Sequence, residues 1–319
     1  MNIIETHALS RVYGKRRAVD SLDMRVAAGE IYGFVGKNGA GKSTAMKMIA
    51  GLVRPTSGSV ELFGAQRRAR EGFSRVGALI EDPGILPTFS ALENLMCKAL
   101  ALGVVRPNAH CRELLELVGL ADTGSLRVKK FSLGMKQRLG LALALVGGPD
   151  LLLLDEPFNG LDPESTRAMR GALVRLNRER GVTMVISSHV LDQLDRMATS
   201  FGVIRAGRMV RELSMDDLHR ECGSSIRVRT NDPARALAIL EEALPGAVLR
   251  AEPDGSILAS APARNAATSF GGAAADPMAP SAEDVARPLT DHGQLILELS
   301  HLERDIEEYF VELMGRADA

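Results

Sequence analysis

The chain has only three cysteines in 319 residues, Cys97, Cys111 and Cys222, and they show no metal-ligand spacing. That argues against a disulfide framework or a cysteine-built zinc site and fits the reduced thiols of a cytosolic protein. Neither sign of charge is in excess. Lys and Arg number 39 against 40 Asp and Glu, a formal net charge of -1. Nothing in that balance calls for nucleic acid as the main partner. No apolar run reaches the roughly 20 residues that cross a bilayer. The longest, around 139–154, is cut by Gly147, Gly148, Pro149 and Asp150, so any membrane role is expected to come through a separate subunit. The N-terminal residues Met1-Asn-Ile-Ile-Glu-Thr-His lack the basic and apolar regions of a secretory signal.

Against these absences stand 45% hydrophobic residues, enough to bury the cores of two domains. One stretch organises the rest: Ile31-Tyr-Gly-Phe-Val-Gly36-Lys-Asn-Gly-Ala-Gly41-Lys42-Ser43-Thr44. It reads as a strand, a glycine-rich turn and a helix start, with the helix running from Thr44 to Leu52. That context makes a G-x-x-x-x-G-K-S match a phosphate-binding loop. Gly36, Gly39 and Gly41 let backbone N–H groups, among them that of Asn38, approach an anion, and the helix N-terminus adds unpaired donors. In such a loop Lys42 reaches the β- and γ-phosphates, Ser43 ligates magnesium and Thr44 bonds an α-phosphate oxygen.

Around this loop the chain alternates strand and helix signals. Residues Met1 to Ala28 read as small strands. Tyr13, beside a turn, suits either a nucleobase platform or a partly buried strand end. Arg75–Ile80 reads as a buried strand that stops at Glu81-Asp82-Pro83-Gly84. Ser90-Ala-Leu-Glu93 has capping-box form, and Ser132 can cap the helix that follows it. Leu151–Leu154 ends in Asp155-Glu156-Pro157 and suits a strand buried on both faces, whose carboxyl end is where a ligand site belongs. Two acids there can hold magnesium and take a proton from an attacking water, or form a solvated turn. Asn159-Gly-Leu-Asp162-Pro163 leads into a helix to Arg180. Val182–Ile186 is a further strand with Ser187-Ser188-His189 at its end, where His is compatible with a structural or a catalytic role.

The ordered set Gly36–Thr44, Ser132-Leu-Gly-Met-Lys-Gln137, Leu151–Pro157, Gly160-Leu-Asp162 and His189 resembles the nucleotide-binding subunit of an ABC transporter over residues 1–220. The resemblance implies an α/β P-loop ATPase with an antiparallel β subdomain and a helical subdomain at about 86–146. It implies ATP and Mg2+ as cofactors, and a homodimer or heterodimer of ATPase subunits working on separate transmembrane permease subunits, peripheral on the inner membrane face. It also implies roles. Ser132 and Gly134 contact ATP held by the other subunit, Asp155 orients magnesium, Glu156 is the base, and His189 holds the γ-phosphate and Glu156 in register. Asp162 bridges the subunits and Tyr13 stacks on adenine.

Two departures narrow the family. Glu81 stands where most ABC ATPases carry Gln, a position from which the resemblance implies contact with magnesium or water and coupling to the membrane subunit, and the signature is Ser-Leu-Gly-Met-Lys-Gln instead of Ser-Gly-Gly-Gln. Both resemble the bacitracin-resistance and lantibiotic-immunity subfamily, which implies export of peptide antibiotics. An exporter of another lipid or drug-like substrate, and a soluble ABC ATPase without a transporter, are the alternatives. Beyond His219 the motifs stop. Residues 221–319 read as a small α+β domain: a strand at Ser225–Arg229, a helix capped at 230–233, a hairpin at 247–258, a flexible insertion at 261–280, a strand at Gln294–Leu299, and a helical stripe of Leu302, Ile306, Tyr309, Phe310 and Leu313.

Overall fold

A computed structural model describes residues 1–66, 75–222, 224–260, 280–303 and 306–315. They divide into two compact units, Met1–Met215 with Leu313–Ala319, and Asp216–Glu312.

In the first unit β1 (Asn2–Tyr13) and β2 (Arg16–Ala27) pair as a long antiparallel hairpin. Small strands are expected from the sequence here. Two twelve-residue strands are found instead, forming a separate sheet of order β2-β1-β4-β5 with β4 (Ser57–Leu62) and β5 (Ala65–Gln66). Register shifts between Thr6 and Leu9 and between Leu9 and Arg11 break the two-residue alternation, so one long strand reads as several short ones.

The second sheet contains β3 (Ile31–Val35), β6 (Val76–Leu79), β7 (Leu151–Asp155), β8 (Thr183–Ser188), β9 (Ser200–Arg205) and β10 (Arg208–Ser214). Its order is β10-β9-β3-β8-β7-β6, and only β10 runs antiparallel to its neighbour. Leu151 to Leu154 are all 0% exposed. Such unbroken apolar runs are what parallel strands covered on both faces require. Because β3, β6, β7 and β8 run the same way, the segments leaving their carboxyl ends share one edge of the sheet. Those segments carry the phosphate loop, Glu81, Glu156 and His189. The β9–β10 hairpin goes unread in the sequence because its turn, Ala206-Gly207 with φ 48° and 83°, uses alanine where Asn or Asp would mark it.

Helix α1 (Lys42–Ala50) follows the phosphate loop and ends at Ala50 with Gly51 as its C-cap, two residues short of the expected Leu52. Its Ala45, Met46, Met48 and Ile49 share a core with Ile4, Leu22 and Met24 of the hairpin and Leu151, Leu153 and Val185 of the parallel sheet. A helix buried between two sheets needs no polar face, which explains its weak amphipathic pattern.

The helical region comprises α2 (Ala91–Ala101), α3 (Pro107–Leu117) and α4 (Leu133–Leu145). The capping box before α2 is complete: Glu93 N–H donates to Ser90 Oγ at 3.2 Å and Ser90 N–H to Glu93 Oε2 at 2.6 Å. After β7 comes α5 (Pro163–Arg180), and α6 (Met215–Glu221) follows β10.

The second unit runs β11 (Ser224–Thr230), α7 (Pro233–Ala243), β12 (Val248–Ala251), β13 (Ile257–Ser260), α8 (Ala282–Asp291) and β14 (Ile296–Glu303). Its antiparallel sheet has the order β12-β13-β11-β14, the split β-α-β arrangement of ferredoxin-like folds. Ile226, Val228, Ala236, Leu240, Val285 and Leu289 form its core. Helix α8 has no counterpart in the sequence reading, because Pro288 inside it argues against a helix; the Ser281–Asp284 capping box was the available signal. Leu302, expected on a helix, lies in β14, and α9 (Ile306–Gly315) starts four residues later. The insertion expected at 261–280 falls, Pro280 apart, outside the described residues. Among the described residues no helix is long and apolar enough to cross a membrane.

Candidate nucleotide site

The phosphate loop is held by its glycines. A Cβ on Gly36 would lie 2.5 Å from the Ile204 carbonyl oxygen, and one on Gly41, whose φ is 113°, 2.5 Å from that of Ala18. The loop is thus pressed against β2 and β9 at a distance no side chain permits. Gly41 is also the N-cap of α1 and offers no side-chain cap, which leaves first-turn N–H groups for a ligand. Asn38 and Gly39 are exposed, while Ser43 and Thr44 are half-buried. A cradle that excludes Cβ atoms, with uncapped donors and a lysine inside, fits a polyphosphate.

That lysine is buried. Lys42 Nζ donates to the Gly36 carbonyl at 2.6 Å and stands 3.3 Å from Glu156 Oε1, with 6% of its side chain exposed. Glu156 follows the last residue of β7 in left-handed backbone geometry, φ 49°. Its Oε2 accepts a hydrogen bond from His189 Nδ1 at 2.8 Å. Beside it, Asp155 Oδ1 accepts from Ser187 Oγ at 2.5 Å. The structure therefore brings Lys42, Asp155, Glu156 and His189 together at the carboxyl ends of three strands. Ser187 joins them; a serine at the end of an apolar strand carries no signal of its own in the sequence.

A second cluster forms around α4 and α5. Ser132 Oγ accepts from Met135 N–H at 3.2 Å and caps α4. Gly134 is buried, and a Cβ on it would meet Ser165 Oγ at 3.1 Å. Ser165 in turn donates from its backbone N–H to Asp162 Oδ1 at 2.8 Å and from its hydroxyl to Oδ2 at 2.7 Å. These two bonds, the backbone one first, hold the Asp162 carboxyl below its ordinary value. Ser165, not singled out in the sequence, thus connects Gly134 with Asp162.

Two expected residues sit apart from both clusters. Tyr13, 44% exposed, ends β1 with the Arg11 guanidinium 4.5 Å from its ring centre, so one ring face is engaged by a cation. Glu81 has φ 63° and pairs with Lys47 of α1 at 2.5 Å.

Residues 19–159 match the model of the ABC transporter family. The chain is 41% identical to the bacitracin transport ATP-binding protein BcrA of Bacillus licheniformis, over 75% of this chain and 79% of that one. The chain belongs to the ABC transporter family. A second bacitracin transport ATP-binding protein BcrA, from Enterococcus faecalis, is 35% identical over 98% of this chain and 96% of its own. The lantibiotic transport ATP-binding protein SrtF of Streptococcus pyogenes is 38% identical over 67% and 92%. Among solved structures, an ATP-binding subunit of an ABC transporter matches with TM-score 0.61 at 29% identity, covering 68% of this chain and 92% of that one. A dimeric ATP-binding cassette bound to ADP and phosphate shares the fold, with TM-score 0.61 and 22% identity over 66% and 98%. As an ABC ATPase the chain is an ATP-binding and ATP-hydrolysing subunit, of a type that works as a dimer with transmembrane permease partners. The ferredoxin-like unit lies outside the family model, yet the alignment with the enterococcal relative runs through it.

Proposed function

We propose that the chain is the ATPase subunit of an exporter that removes peptide antibiotics of the bacitracin or lantibiotic kind, for resistance or self-immunity. The observation that carries the hydrolytic part is Glu156 set between Lys42 and His189. In this reading Lys42, the loop N–H groups and Thr44 hold the phosphates of ATP, and Ser43 and Asp155 hold Mg2+, which supplies charge neutralisation on the phosphates. Glu156 takes the proton of the attacking water, and His189 keeps Glu156 and the γ-phosphate in register. Tyr13 carries the adenine and Glu81 couples the site to the permease. The antibiotic cargo is supported by the relatives named for bacitracin and lantibiotic transport.

Each chain carries both a phosphate loop and the Ser132–Gly134 signature, so two identical copies make two complete sites, with Asp162 at the bridge between them. A homodimer is therefore the assembly proposed, bound through its permease to the inner face of the membrane, with residues 221–319 as an accessory domain.

Glu156→Gln keeps the shape of the side chain and removes the base. The expected result is ATP turnover reduced at least ~100-fold with ATP-dependent dimers retained, read by phosphate release and size-exclusion chromatography. Lys42→Ala is expected to lose nucleotide binding itself. Equal turnover in wild type and Glu156→Gln would overturn the assignment of the base. Unchanged bacitracin and lantibiotic susceptibility in cells producing the subunit with its permease would overturn the cargo.

A further inference from the structure

Ser187 is 0% exposed, at the end of β8 directly across the sheet from Asp155. A serine hydroxyl has one proton to give and lone pairs to accept with. Here the proton goes to Asp155 Oδ1 at 2.5 Å, and a lone pair takes the Glu156 N–H at 3.0 Å. We propose that Ser187 is a positioning residue for ATP hydrolysis, fixing both adjacent acids from one buried atom. This rests on the hydrolytic reading above.

With Oδ1 committed to Ser187, Asp155 keeps Oδ2 for the metal side, so one hydroxyl selects which carboxylate oxygen is available. Glu156 has a left-handed backbone, φ 49°, a conformation that a side chain bearing a Cβ disfavours and that the surroundings must maintain. Its N–H is shared between Ser187 Oγ and the Ser187 carbonyl at 3.2 Å. The same residue therefore anchors the turn that sets the Glu156 carboxylate 3.3 Å from Lys42 and 2.8 Å from His189. Asp155 is paired with Ser187 across β7 and β8 and Glu156 follows it directly, whereas Lys42 opens α1 and His189 follows the last residue of β8.

Ser187→Ala removes the hydroxyl and leaves the backbone bond to Glu156, so the strand is retained. The measurement is made on the full chain with two readouts. The first is the gain in affinity for a fluorescent ATP analogue when Mg2+ replaces EDTA; the second is steady-state hydrolysis against Mg2+ and ATP. Ser187→Ala is expected to lose most of the Mg2+-dependent gain while binding in EDTA is unchanged. It should lower kcat roughly 10- to 100-fold, the range for a lost hydrogen bond to a charged group, with KM for ATP within about threefold. Ser187→Thr, which keeps the hydroxyl, is expected to recover both. Ser187→Cys, a weak donor of similar size, should recover neither fully. A wild-type Mg2+ gain and kcat in Ser187→Ala would overturn the proposal. So would equal losses in Thr and Ala variants of unchanged thermal stability. Absence of hydrolysis in the wild type would overturn the parent reading alone, and the Mg2+-dependent binding gain would still decide for or against Ser187.

Discussion

At the residue scale, the loop glycines and Lys42 were legible because a phosphate cradle restricts residue type by geometry, and that restriction is written in the spacing. Gly36 and Gly41 show why: a Cβ at either would meet a carbonyl oxygen at 2.5 Å. Ser187 and Ser165 were not legible, because a buried serine is chosen for two partners that only the folded sheet brings near. Asp162 lends itself to a test at this scale. Its folded pKa lies below the ordinary value of 3.8, first through the Ser165 N–H and then the Ser165 hydroxyl. A depressed carboxylate contributes stability above its unfolded pKa and loses it as pH falls through the folded value. Asp162→Ala is therefore expected to lower the urea midpoint at pH 7, and the difference from wild type should shrink at pH 3 and below. A difference constant with pH would show that the cap does not act through the carboxylate.

At the element scale, the capped helices α2 and α4 and the strand with an unbroken apolar run, β7, are legible directly, whereas elements with disrupted patterns are not. The bulged β1 and the β9–β10 hairpin with its alanine turn lack the signal their geometry ordinarily leaves, and in α8 Pro288 argues against the helix that the Ser281–Asp284 capping box announces. Close approach between elements is equally hidden. Gly140 lies in the middle of α4, where alanine would favour the helix by about 1 kcal/mol. Yet a Cβ there would sit 2.7 Å from Pro83 Cβ and 2.9 Å from Leu79 Cδ1. Overpacking of this kind costs about 1–3 kcal/mol, so the clash outweighs propensity. Gly140→Ala is expected to lower the unfolding midpoint and, because Pro83 is two residues from Glu81, to disturb the Glu81–Lys47 pair. A raised midpoint would mean that the Pro83 turn moves freely and that propensity decides.

At the scale of the whole molecule, the chain pairs an ATPase unit whose motifs announce it with a ferredoxin-like unit that carries none. The reason is physical: phosphate chemistry constrains identity at fixed spacings, whereas a core of Ile226, Val228, Leu240, Val285 and Leu289 constrains only size and polarity. Composition and periodicity therefore reached an α+β domain but not its strand order. That the second unit has its own core leads to a separable response. Leu240 is 0% exposed, and Leu240→Ala removes buried methyl groups at a cost of about 2–5 kcal/mol. The cost falls on the unit that contains it, Asp216–Glu312, while the phosphate loop, Glu156 and His189 belong to the other. Calorimetry of Leu240→Ala is expected to show one transition moved to lower temperature and a second in place, with binding of a fluorescent ATP analogue unchanged. A single transition displaced as a whole, with nucleotide affinity falling alongside it, would mean that the two units unfold as one and that the accessory unit supports the ATP site.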